Sequence, residues 1–239
     1  MRPAQALAAL ALLLAGTVGQ PAAAQRVAPQ AAVTALDAAA VLERVVLDTE
    51  LGPITLDLDR THAPVTTANF LRYVEKGRLN GTAFYRAMRL DWGTQPNGLI
   101  QGGTQADPKR NFPPIAHEPT NETGLRHKVG TISMARYEPG TATGDFSIML
   151  SPQPGLDAQP DATDPSTKAG FAAFGQVVEG MDVVRAIFDA PVSATKGEGF
   201  MRGQMIEKPV RILKAQRVPR PAETPGTAPA ANGAPLRTP

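Results

Sequence analysis

The feature that most constrains this chain is the way its apolar residues are parcelled into short runs. Residues 45–49 and 54–59 flank the turn-forming Glu50-Leu51-Gly52-Pro53, and the second run alternates strictly, with Ile54, Leu56 and Leu58 on one face. A period of two marks a half-buried strand, and the pair reads as a hairpin. Asp57 and Asp59 fall on the opposite face and are expected to be solvated. Strand-like runs recur at 83–88, 129–135, 146–150, 172–178 and 210–218, with a further return at 99–103.

Only two stretches carry a helical period. Residues 64–77 begin with proline, present Val65, Ala68, Leu71 and the Phe70/Val74 pair as an apolar stripe, and stop at Gly77. Met181, Val183, Val184, Ile187 and Phe188 make a second, shorter amphipathic helix. Short strands in series with two helices predict a mainly β fold closed into an antiparallel barrel, since closure leaves no sheet edge exposed.

The ends of the chain differ from its middle. In residues 1–24, Arg2 precedes an apolar run at 4–18 and the small residues Ala22-Ala23-Ala24, the pattern of a secretory signal peptide. The run falls short of the ~20 strongly apolar residues of a membrane span. No stable membrane insertion is therefore expected once the signal is removed, and the protein is placed in the periplasm or outside the cell. Residues 25–40 read as an Ala-rich linker and 41–218 as the folded domain. Residues 219–239, rich in Pro, Ala, Thr and Gly, read as a disordered tail. The chain has no cysteine, so neither a lipid anchor nor a disulfide is available, and the domain must be held by its core.

Several chemistries are excluded. The formal net charge is +2, with no basic run or basic–aromatic interleaving, which argues against nucleic acid as a partner. His62, His117 and His127 are scattered without metal-ligand spacing, so no metal site is expected. There is no nucleophile elbow, phosphate loop or dinucleotide fingerprint. What remains is an arginine on a strand, in Phe84-Tyr85-Arg86-Ala87-Met88. Alternation puts Phe84, Arg86 and Met88 on one face and Tyr85 and Ala87 on the other. Taken alone, Arg86 reads more readily as a solvated strand residue than as a functional one. The irregular stretch at 104–128 has the length of a functional loop.

Four blocks together say more. Phe84-Tyr85-Arg86, Gln101-Gly102-Gly103, Gly130-Thr131-Ile132-Ser133-Met134-Ala135 and Phe174-Gly175-Gln176-Val177-Val178-Glu179-Gly180 follow one another in an order that resembles the cyclophilin family of peptidyl-prolyl cis-trans isomerases, over residues 45–218. The resemblance implies a closed eight-stranded antiparallel β-barrel capped by two α-helices. It also implies acceleration of X-Pro bond rotation in proline-containing polypeptides, without cofactor; a monomer is expected. Arg86 takes the position of the family's catalytic arginine. Gln101 takes that of the glutamine that steadies it, and Ala135 that of a backbone group holding the peptide.

The departures from the family's pattern lie around these positions. Tyr85, after Phe84, stands where histidine is common, and Gly98, before Leu99, and Ser147 stand where phenylalanines line the proline pocket. Arg136 and Asp145 replace an asparagine and a glutamine, Gly155 precedes Leu156 at a usual tryptophan position, and Phe171 replaces a histidine. The interval from Arg86 to Gln101 is longer than usual and carries Trp92, the single tryptophan. Two roles are open to Trp92, a cover over the barrel end or a platform for the substrate proline. Two functions are open to the chain: an isomerase acting on exported proteins, favoured by Arg86 and Gln101, or a peptide-binding scaffold with little turnover.

Overall fold

The computed structural model describes residues 40–221. The signal peptide, most of the linker and most of the C-terminal tail read from the sequence lie outside them. In chain order the elements are β1 (Leu42–Thr49), β2 (Gly52–Asp59), α1 (Pro64–Glu75), β3 (Ala83–Arg89), β4 (Gly98–Gly103), α2 (Thr120–Thr123), β5 (Thr131–Met134), β6 (Phe146–Met149), α3 (Pro165–Ala169), β7 (Ala172–Glu179), α4 (Met181–Asp189) and β8 (Met205–Val218). The strands close into an antiparallel barrel in the order β1-β2-β7-β5-β6-β4-β3-β8. The two longer helices, α1 and α4, cap it as expected; the short α2 and α3 were not foreseen.

The core is aromatic where α1 meets the barrel. Phe70 sets its ring edge-on to Phe146 at 5.3 Å and lies 5.4 Å from Phe174, while Phe84 meets Phe146 at 5.6 Å. From α4, Val184, Ile187 and Phe188 are buried in the same core. Truncating Phe146 to alanine would open a cavity costing about 3–5 kcal/mol.

Two sequence expectations need correcting. Val65 and Ala68 of α1 are exposed, while Thr66 and Thr67 are buried. The threonines tolerate burial because each is bonded: Thr66 Oγ1 donates to Glu118 at 2.6 Å and Thr67 Oγ1 to the Asp59 carbonyl at 2.8 Å. Asp57 and Asp59 are also buried rather than solvated. Arg44, one strand away, donates to Asp57 at 2.7 and 2.9 Å, and the Asp59 carboxylate accepts from the backbone of Thr61 and His62 at 3.0 and 2.9 Å. Alternation reports which way a side chain points; it cannot report that the far face is covered by a neighbouring strand's arginine.

Candidate active site

The site begins with a slip in strand register. In β3, Phe84 pairs with Gly102 and Arg86 with Gln101, so Tyr85 has no partner on β4. Against β8 the register also shifts here, but with the extra residues on β8, Phe84 facing Val210 and Arg86 facing Met205. An extra residue on one strand breaks the two-residue alternation. Phe84 and Ala87 therefore enter the core, while Tyr85, Arg86 and Met88 line a cavity of about 430 Å³. Phe84, which strict alternation would put on the face of Arg86 and against the bound peptide, is accordingly corrected to a core residue.

Arg86 is 8% exposed and makes no ion pair among the described residues. Its Nη1 donates to Gln101 Oε1 at 2.8 Å and its Nε to Gln204 Oε1 at 2.8 Å. Guanidinium has five N–H donors, so three remain. Among the described residues Nη2 has no hydrogen-bond partner and no buried side-chain nitrogen or oxygen lacks one, so Nη2, on a residue lining the cavity, is open to it. Burial pulls the Arg86 pKa down from its usual value, but a guanidinium is not deprotonated in proteins. The ring of Phe200 lies 5.3 Å from the guanidinium carbon.

The hydrogen bonds continue in one direction. Gln101 Nε2 donates to the Tyr85 hydroxyl at 2.8 Å, and that hydroxyl donates to Asp145 at 3.2 Å. Tyrosine can accept and donate at once, which is how it replaces a histidine here. Asp145 also accepts from the backbone N–H of Gln105 at 2.7 Å and of Ala106 at 3.1 Å. Those two residues have φ of 51° and 57°, the left-handed region that costs a side-chain-bearing residue about 1–2 kcal/mol. Burial pushes the Asp145 carboxyl above the ordinary range, against the pull of these hydrogen bonds. Burial, reinforced by the Asp145 charge, likewise pushes the Tyr85 phenol up.

Leu99, Gln101, Ala135, Arg136, Asp145, Ser147, Leu156 and Phe171 line the same cavity as Tyr85 and Arg86. Not all face it with free chemistry. The Arg136 guanidinium is spent on the carbonyls of Ser166, Gly170 and Tyr137 and lies over Phe171 at 4.5 Å. Two departures from the family's pattern thus stack into one piece of wall. The N–H of Ala135 donates to the Asp145 carbonyl at 2.9 Å.

Gly98 is not a wall position at all. Its φ is +141°, and a Cβ there would lie 1.9 Å from the Met88 carbonyl oxygen. Trp92 is 64% exposed and absent from the cavity lining, so it is neither a barrel cover nor a platform for proline. Its loop is held from within and from the β6 side: Asn97 Nδ2 donates to the Trp92 carbonyl at 2.7 Å and Gln95 Nε2 to that of Leu90 at 3.0 Å, while Asn97 Oδ1 accepts from Ser151 and Gln153 at 2.6 and 2.9 Å.

Sequence reasoning missed what replaces the lost aromatics. Met88, Met134, Met149, Met201 and Met205 all line the cavity, five of the chain's seven methionines. Thioether side chains are apolar and adaptable, so the wall fits a ring without the fixed shape of phenylalanine. The segment between α4 and β8 was missed too. It supplies Gln204, Phe200 and Met201, and its length without regular structure was the signal that could have found it.

Within the wall itself, Ser133 Oγ lies 2.8 Å from His127 Nε2, and His127 Nδ1 lies 2.7 Å from Asp157. The order matches a nucleophilic triad, but Ser133 is 2% exposed and its Oγ is also 3.2 Å from the Ala172 carbonyl. Burial holds the His127 pKa below its ordinary value despite Asp157. The group therefore acts as a neutral brace under β5. Among the described residues no cluster of three or more His, Asp or Glu side chains is placed to hold a metal ion.

Comparison with known proteins decides the lineage. The family model for cyclophilin type peptidyl-prolyl cis-trans isomerases matches residues 44–217. The chain belongs to the cyclophilin family. A peptidyl-prolyl cis-trans isomerase of Acinetobacter baylyi is 37% identical over 176 residues, covering 72% of this chain and 84% of that protein. Peptidyl-prolyl cis-trans isomerase A of Dickeya dadantii is 39% identical over 155 residues, covering 63% and 73%. The crystal structure of a Cryptosporidium parvum cyclophilin shares the fold, with a TM-score of 0.58 at 19% identity over 76% of this chain and 100% of that one. That same parasite cyclophilin was also crystallised in the presence of the dipeptide Ala-Pro. Of the two functions left open by the sequence, membership selects the isomerase, and this cyclophilin is a peptidyl-prolyl cis-trans isomerase.

Proposed function

We propose that this cyclophilin rotates X-Pro bonds in the methionine-lined cavity, with Arg86 stabilising the twisted amide. The barrier to rotation is amide resonance, about 18–20 kcal/mol in a peptide bond, and uncatalysed X-Pro exchange takes tens to hundreds of seconds. Twisting pyramidalises the prolyl nitrogen and localises its lone pair. A donor aimed at that nitrogen binds the twisted amide more tightly than either planar isomer, which is the condition for lowering the barrier. No nucleophile, metal or cofactor is needed.

One observation carries the reading: Arg86 is buried, paired with no carboxylate among the described residues, and still has N–H donors reaching the cavity. Proline-containing segments are the substrate class, the ring seated against the methionines and Leu99. The signal-like residues 1–24 support action on exported chains in the periplasm or outside the cell; an N-terminus at Met1 in protein recovered from cells, retained on membranes, would contradict that.

The test of catalysis is cis-trans exchange in a short Ala-Pro peptide. A hydrogen bond to a charged group contributes about 1.5–3 kcal/mol, and ~1.4 kcal/mol is tenfold in rate. Arg86→Ala is expected to lower the catalysed exchange at least tenfold with the fold intact. Equal rates in mutant and parent would remove Arg86 from the reaction.

A further inference from the structure

Arg86 is gripped twice, and the second grip comes from the segment that also brings Phe200 and Met201 to the cavity. Residues 190–204 join α4 to β8 with only the 3-10 turn Gly199–Met201 and one bridge, Val192 to Ile206, for regular structure. The segment docks at its end. Ala87, beside Arg86, donates its N–H to the Gln204 carbonyl at 2.9 Å. Gln204 N–H donates to the Met201 carbonyl at 3.0 Å, closing the turn that carries Phe200. The Gln204 side chain, placed in this way, takes the Nε–H of Arg86 at 2.8 Å.

We propose that Gln204 is a positioning residue for Arg86, acting as the second jaw of an amide clamp whose first jaw is Gln101. The proposal rests on the reading that Arg86 stabilises the twisted amide. A single bond at Nη1 leaves the guanidinium plane free to pivot about that contact. A second bond at Nε, from a different element, fixes both the plane and the direction of the unused N–H groups. The chemistry of the two jaws matters as much as their placement. Both are neutral amide oxygens, and Arg86 makes no ion pair among the described residues. A carboxylate would hold the arginine at least as firmly. It would also cancel much of the positive charge that the prolyl lone pair is meant to feel. Glutamine holds the cation in place and leaves its charge for the transition state.

That distinction supplies a test that a purely structural role fails. Exchange in a peptide with one Ala-Pro bond is measured at saturating and sub-saturating peptide for the parent, Gln204→Glu, Gln204→Leu, Arg86→Ala and the Arg86→Ala/Gln204→Glu pair. Gln204→Glu is nearly isosteric and keeps an acceptor at the same place. It is expected to lose roughly fivefold to tenfold in kcat, with KM within about twofold and the urea midpoint at or above the parent's. Gln204→Leu is expected to lose kcat comparably. In the Arg86→Ala background the Glu substitution should change nothing further. Parental kcat in Gln204→Glu overturns the proposal, whether or not the Leu variant folds. So does an equal loss from Gln204→Glu in the presence and absence of Arg86. If Arg86→Ala itself turns over at the parental rate, the reading of Arg86 fails, and the clamp fails with it; a slow Arg86→Ala beside an unimpaired Gln204→Glu sinks the clamp alone.

Discussion

Two of the segments that connect elements of this barrel, one between β3 and β4 and one between α4 and β8, end in opposite circumstances. The loop between β3 and β4 holds the only tryptophan, yet spends its polar groups on itself and on Ser151 and Gln153, neither of which lines the cavity. Gln95 and Asn97 bond to carbonyls within the loop, and Trp92 is left 64% exposed. The segment between α4 and β8 is unremarked in composition, yet its last residues bond outward to Ala87 and Arg86 and bring Gln204, Phe200 and Met201 to the cavity. The difference is one of hydrogen-bond destination. A loop whose polar groups are met by itself and by residues off the cavity stays apart from the site, whereas one that bonds the strand carrying Arg86 takes part in it.

The comparison breaks most readily by exchanging the loops' contents. Replacing residues 198–203 with a Gly/Ser segment of equal length removes Phe200, Met201 and the turn that seats Gln204. Loss of a charged-group hydrogen bond at about 1.5–3 kcal/mol implies a fall in catalysed exchange of roughly tenfold or more. The same replacement at residues 91–96 should leave exchange unchanged within about twofold. Equal effects from the two replacements would dissolve the distinction.

A second experiment asks whether the wall behind the site can be weakened without touching the clamp. His127 is held neutral by burial, its pKa below 6.5, with Asp157, Arg126 and Ser133 around it. As pH falls below ~6.5 the unfolded chain takes up this proton before the folded one. The stability His127 supplies is therefore complete above that value and is lost as pH drops toward the folded pKa. Asp145 acts with the opposite sign, because its raised pKa lets the folded state bind its proton first. Urea unfolding from pH 7.5 to 5 should show parent stability declining relative to His127→Gln, whose curve lacks the imidazole component. Parallel curves would mean that His127 titrates normally in the fold.

The smallest effect belongs to Trp92. An exposed side chain away from cap, core and cavity changes stability by within about 0.5 kcal/mol on truncation. Trp92→Ala should match the parent in both urea midpoint and exchange, and saturating peptide should leave the tryptophan emission where it was.

These cases also mark how far the sequence could be read. The alternation of Ile54, Leu56 and Leu58 fixed the inward face of β2 correctly, because all three have no exposure. Arg86 and Gln101 were found through their neighbours in the family's blocks, and the structure brings them within 2.8 Å. Phe84 was misplaced because a period of two has no term for the unpaired Tyr85 that shifts the register. Gly98 was misplaced because a one-to-one match of positions ignores the backbone that already fills the space. Gln204 was invisible because it reaches Arg86 from 118 residues away. No local pattern encodes a partner that only the closure of β3 on β8 brings near.

The central claim, that a clamped and unneutralised Arg86 drives the rotation, is tested most directly by Arg86→Lys. Lysine keeps the positive charge but lacks the planar fork that two amide oxygens can hold. Exchange of an Ala-Pro peptide, read by magnetisation transfer at saturating peptide, is expected to fall at least tenfold while peptide affinity stays within about twofold of the parent. Parental exchange in Arg86→Lys would show that charge alone suffices and that the clamp on Arg86 plays no part in catalysis.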